Sequence, residues 1–78
     1  MLTILEVVQK STEYLNKAGV PNARLDAEWI ISHSLDLGRM DLYLQFERPL
    51  EEAQLNEMRE MVKRRGTREP LQHILGQV

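Results

Sequence analysis

Residues 24–38, RLDAEWIISHSLDLG, form the most apolar run of the chain, and their reading decides how the rest is arranged. Leu25, Ala27, Trp29, Ile30, Ile31, Leu35 and Leu37 fall within thirteen positions. At the helical period, Ala27, Ile30, Ile31, Ser34 and Leu35 make one stripe, with Leu25 and Trp29 beside it. Asp26, Glu28, Ser32 and Asp36 are expected mostly on the polar remainder. A helix with so broad an apolar sector needs partners on more than one side. The flanking segments are therefore expected to wrap around it.

Upstream, Thr3-Ile4-Leu5-Glu6 is a capping box, in which hydroxyl and carboxylate each satisfy an amide of the first turn. Ile4, Val8, Ser11, Leu15 and Ala18 then recur at helical spacing, with Leu5, Val7 and Thr12 alongside. Glu6–Lys10 and Glu13–Lys17 are i,i+4 pairs in the favourable order. Gly19 supplies a left-handed residue after this helix, and Pro21 stops it from continuing. Asn22 is the expected N-cap of the central helix, which Gly38 closes.

Downstream, RMDLYLQFERPL alternates between strand and short-helix periods. A lone strand would find no sheet to join, so Arg39 to Gln45 is expected to be helical. Beyond Pro49, Leu55, Met58, Met61 and Val62 share a face. That helix begins acidic (Glu51, Glu52), ends basic (Lys63, Arg64, Arg65) and is terminated by Gly66, a layout that complements the helix dipole. The last segment, Pro70 to Leu75 before Gly76, is a helix of barely two turns. The expected architecture is all-α, a small orthogonal or irregular bundle of helices over about 3–18, 22–37, 39–45, 51–65 and 70–75, in one domain spanning 1–78.

Composition narrows the function. With 42% hydrophobic and 28% charged residues the chain is ordinary globular protein and is not expected to be disordered. It has no cysteine, so neither a disulfide framework nor a thiolate metal site is available, which fits a reducing, cytoplasmic setting. No membrane span or leader is expected from its apolar runs. A net charge of −2 disfavours a general nucleic-acid binder while leaving room for a local basic patch.

Catalytic signals are missing. His33 and His73 stand forty residues apart, without further ligands at metal spacing, and are expected to be partly buried or interfacial. Asp26 and Glu28 are i,i+2 on a helix, so their carboxylates diverge and cannot face one another as an acid and base. Ser11, Ser32 and Ser34 lack a nucleophile motif, and no glycine-rich loop follows a strand. The basic cluster Arg59, Lys63, Arg64, Arg65 and Arg68 is the one surface feature of interest. It reads either as helix-end charge and solubility, or as a surface for an acidic partner. Its neighbours Glu57, Glu60 and Glu69 make nucleic acid the weakest reading.

Three segments carry a resemblance. RLDAEWIISHSL at 24–35, DLYL at 41–44 and RRGTREPLQHILG at 64–76 occur in the order and spacing of one family. The chain resembles, from Met1 to Val78, the N-terminal domain of the HemK/PrmC-type release factor glutamine methyltransferases. The EPLQHILG segment is the most specific, and the DAE of the central helix the next. Glu51 departs from the pattern, standing where relatives often place a Ser or Thr cap. The chain also stops at Gln77-Val78, where relatives continue into a Rossmann-like catalytic domain.

The resemblance implies a parent enzyme that moves a methyl group from S-adenosylmethionine to the side-chain amide nitrogen of glutamine, in the Gly-Gly-Gln motif of peptide chain release factors. In that family an Asn-Pro-Pro-Tyr loop polarises the amide and a glycine-rich strand–loop–helix holds the cofactor. Neither motif occurs in these 78 residues, so no catalytic, cofactor-binding or metal residue is carried over. The implied role is substrate recognition, with the release factor and the parent's own catalytic domain as partners. Two other classes stay open: a free-standing helical adaptor, and a small helical nucleic-acid binder using Arg59–Arg68.

Overall fold

The computed structural model describes residues 2–76, and its helices are α1 (Ile4–Lys17), α2 (Ala23–Ser34), α3 (Arg39–Leu44), α4 (Glu52–Gly66) and α5 (Leu71–Leu75). Among the described residues the only strand-like pairing is one antiparallel bridge, Thr3 with Pro49. The all-helical expectation holds, with α2 at the centre. Ile31 of α2 joins Ile4, Val7, Val8, Leu42, Leu50, Leu55 and Met58 in one apolar cluster. Ala23, Ala27 and Ile30 of the same helix join Leu15, Val20, Met61, Val62 and Ile74 in another. Gln77 and Val78, where passage into a further domain is expected, lie outside the described residues.

Every amide of the first turn of α1 has a partner. The N–H groups of Ile4 and Leu5 donate to the carbonyls of Arg48 and Phe46 at 3.0 Å. Glu6 N–H donates to Thr3 Oγ1 at 3.3 Å, and Thr3 N–H to Glu6 Oε1 at 3.0 Å, completing the capping box. The α3–α4 connection is thereby tied across the start of α1, with Leu50 buried beneath it. The Glu6 carboxylate is committed to the cap, and the expected Glu6–Lys10 ion pair does not form. Glu13–Lys17 does form, at 3.4 Å.

Two of the helix ends expected to close on glycine, those of α2 and α4, close on other residues. Gly19 (φ 81°) behaves as expected after α1, with Val20 N–H donating to Leu15 O. The central helix, however, stops at Ser34, short of the expected residue 37. Asp36 takes the left-handed position (φ 57°), with Leu37 N–H donating to Ser32 O at 2.9 Å. Gly38 instead precedes α3 in extended conformation. At the end of α4 the left-handed residue is Arg68 (φ 73°), while Gly66 remains helical. A Cβ on Gly66 would lie 2.7 Å from Tyr14 Cε1, so close approach of α1 explains the glycine there. Asn22 precedes α2 in left-handed conformation (φ 57°) and makes no side-chain cap.

The face of α2 also departs from expectation. Asp26, Glu28 and Ser32, assigned to the polar side, are buried, whereas Leu25 and Trp29 are 39% and 43% exposed. Charge pairing with neighbouring elements reverses the pattern, as the next section describes. Both histidines, expected to be partly buried or interfacial, are exposed on this domain.

Candidate partner-docking surface

The basic cluster does not act as one patch. Arg65 crosses to α2, its Nε donating to Asp26 Oδ2 at 2.9 Å, with both side chains largely covered. Arg64 is paired with Glu69, and this holds the Glu69 carboxyl below the usual carboxylate range. Arg68 Nη2 donates to the carbonyls of Gly19 at 3.1 Å and Ala18 at 3.4 Å, capping the far end of α1. Arg65 and Arg68 fasten α4 and its exit to α2 and α1, and Arg64 ties that exit back to α4. Arg59 and Lys63, one helical turn apart, are left facing outward.

Arg59 and Lys63 border a groove of about 500 Å³ between α1 and α4. Its floor is Val7, Leu55, Met58 and Val62, and Lys10 and Tyr14 of α1 form the opposite bank. Arg59 has weak local company, Glu52 at 3.8 Å and Asn56 at 3.3 Å. Lys10 and Lys63 form no ion pair among the described residues. Sequence reading found one bank and missed the other. Lys10 is distant in sequence from Arg59, and its i,i+4 spacing predicts a pair with Glu6.

A second constellation was also missed. Glu28, its side chain 3% exposed, is the acceptor that fixes α3 against α2. Its Oε1 accepts from Tyr43 Oη at 2.6 Å and Arg39 Nη2 at 3.0 Å, and its Oε2 from Arg24 Nε at 2.8 Å. Burial pushes the Glu28 carboxyl upward; the hydrogen bonds from Tyr43, Arg24 and Arg39 outweigh it and leave the group below the ordinary carboxylate value. Arg39 also lies 5.5 Å over the Trp29 ring, and Tyr43 meets Phe46 edge-on at 4.9 Å. The sequence signal was the i,i+4 spacing of Arg24 with Glu28 and of Arg39 with Tyr43. As expected, Asp26 and Glu28 diverge, and each meets different arginines.

Among the described residues no three His, Cys, Asp or Glu side chains converge on a metal-sized site, and no helix is long and apolar enough to cross a membrane. The described residues offer no fitting cradle for S-adenosylmethionine either. The glycines stand at helix ends or against Tyr14, none after a strand, and the groove's cationic rim is ill matched to a sulfonium.

Comparison with known proteins agrees with the resemblance. The family described as the PrmC N-terminal domain matches residues 6–76. A release factor glutamine methyltransferase of Geobacter sulfurreducens is 47% identical over 74 residues, covering 95% of this chain and 26% of that protein. The protein of the same name from Leptospira interrogans is 41% identical over 75 residues, covering 96% and 26%. That from Fusobacterium nucleatum is 45% identical over 74 residues, covering 94% and 21%. No solved structure matches at comparable stringency. The chain thus spans about a quarter of the length of these relatives, and by its match over 6–76 it belongs to the PrmC N-terminal domain family.

Proposed function

We propose that this chain is the substrate-docking domain of a cytoplasmic, S-adenosylmethionine-dependent enzyme that methylates the glutamine of the Gly-Gly-Gln motif in peptide chain release factors. The observation that carries the reading is the alignment of nearly the whole chain with one quarter of proteins named release factor glutamine methyltransferase. The domain contributes contact and placement, while donor binding and methyl transfer belong to a catalytic domain beyond it. Within the cluster Arg59, Lys63, Arg64, Arg65 and Arg68, the outward pair Arg59 and Lys63 serves docking, and the other three hold the surface in shape. That division favours a protein partner over nucleic acid, because Arg64, Arg65 and Arg68 already have intramolecular partners. Reading the gene past Val78 tests the parent enzyme directly. The expected continuation encodes a glycine-rich nucleotide loop followed by Asn-Pro-Pro-Tyr. A stop codon there would overturn the reading in favour of a free-standing adaptor.

A further inference from the structure

We propose that the groove between α1 and α4 seats an acidic, amphipathic helix of the release factor. The proposal deepens the docking reading and rests on it. The banks run from Val7 to Tyr14 on α1 and from Leu55 to Lys63 on α4, about two helical turns, or roughly 10–12 Å, at the usual rise per residue. That length suits apolar anchors at i, i+3 or i+4, and i+7 of an incoming helix. Val7, Leu55, Met58 and Val62 offer the apolar floor, and Tyr14, 45% exposed, offers a ring with a polar tip at one end.

Charge selects the flanks of the occupant. Lys10 stands on one bank and Arg59 and Lys63 on the other, with Glu60 the one carboxylate among the lining residues. This concentration of positive charge runs against a chain whose net charge is −2. It is left available because Glu6 is held by the Thr3 cap and Lys63 has no acidic partner among the described residues. A helix with carboxylates beside its apolar face meets cations on both sides, and the lysine and arginine stems add apolar cover. A strand is the poorer occupant, because the described residues offer no sheet edge beyond the isolated Thr3–Pro49 bridge.

The test titrates this chain with a release factor, following backbone amide shifts by NMR, and repeats the titration with Lys10→Glu/Lys63→Glu and with Lys17→Glu as control. All three lysines are exposed, so circular dichroism should match the parent chain. Loss of the Glu13–Lys17 pair and of the helix-end charges at Lys17 and Lys63 should lower the melting temperature by only a few degrees, read separately from binding. The expected result is a set of shifts over 7–14 and 55–63, an affinity that falls with ionic strength, and a loss of about tenfold or more in the double variant but not the control. Binding that maps elsewhere and ignores the double variant overturns the groove while the docking reading stands. No binding even at millimolar concentration overturns both. Groove shifts that grow with the chain's own concentration before any partner is added would assign the groove to a second copy and overturn the proposal too.

Discussion

At the scale of single residues, Gly66 and Tyr14 show how a contact can invert an intrinsic preference. A helical glycine is ordinarily worse than alanine by about 1 kcal/mol. Here the added methyl would meet the Tyr14 ring at 2.7 Å. Gly66→Ala is therefore expected to bring no gain in the native background and to displace the ring, visible in its NMR shifts. In a Tyr14→Ala background the same change should stabilise the fold by about 0.5–1 kcal/mol, measured by chemical denaturation. A gain of equal size in both backgrounds would refute the contact. Arg68 is another residue whose role is set by its neighbours, being both the left-handed residue after α4 and the cap of α1.

At the scale of elements, α3 depends on charge more than on apolar burial. Of its six residues only Leu42 is buried, while Met40 and Leu44 are 77% and 83% exposed. Strand alternation would have put all three on one face; the helix sends Leu42 inward and the other two out. What holds the element is Glu28, through Arg39 and Tyr43. Its folded-state pKa lies below the ordinary 4.5, so its contribution is fully present above that pH and is lost as pH falls through the lower folded value. Glu28→Gln should cost about 2–3 kcal/mol at neutral pH. The gap between the two proteins should close as the native carboxyl is protonated below pH 4.5. A gap that stays constant to pH 2–3 would show that the charge of Glu28 is not what matters. Trp29, the sole tryptophan, lies under Arg39 and reports the same event by fluorescence.

At the scale of the whole molecule, α2 joins the two apolar clusters through adjacent residues, Ile30 in one and Ile31 in the other. A chain of this size buries only roughly 60% of its unfolded surface, so its margin of stability is narrow. Ile30 is fully buried, and Ile30→Ala should cost about 2–5 kcal/mol, enough to leave a large unfolded fraction in a thermal melt. A loss below about 1 kcal/mol would mean that the cluster of Leu15, Met61 and Ile74 does not depend on Ile30. The same view of the molecule predicts that the chain alone does not bind S-adenosylmethionine. Calorimetry should show no saturable heat, and one-to-one binding would place a cofactor site among these helices after all.

Although the left-handed residues after α2 and α4 are not the expected glycines, the sequence by itself determined the number and order of the helices. It did so because α1, α2 and α4 carry a helical period and α3 has no sheet to join as a strand. The apolar faces of α1 and α4 were legible for the same reason: Ile4, Val8 and Leu15, and Leu55, Met58 and Val62, recur at a spacing that only helix burial explains. The family segments were equally legible as a fixed order of residues. Tertiary structure alone decided the polar face of α2, since Asp26 and Glu28 are buried where Arg65 arrives from α4 and Arg39 and Tyr43 from α3, joining Arg24 of α2 itself. It likewise decided which members of the basic cluster face outward, and it set Lys10 across the groove from Lys63. Periodicity assigns a residue to a face, but a charge is placed by its partner, and the partners Arg65, Arg39 and Tyr43 stand 11 to 39 residues from the carboxylates they meet.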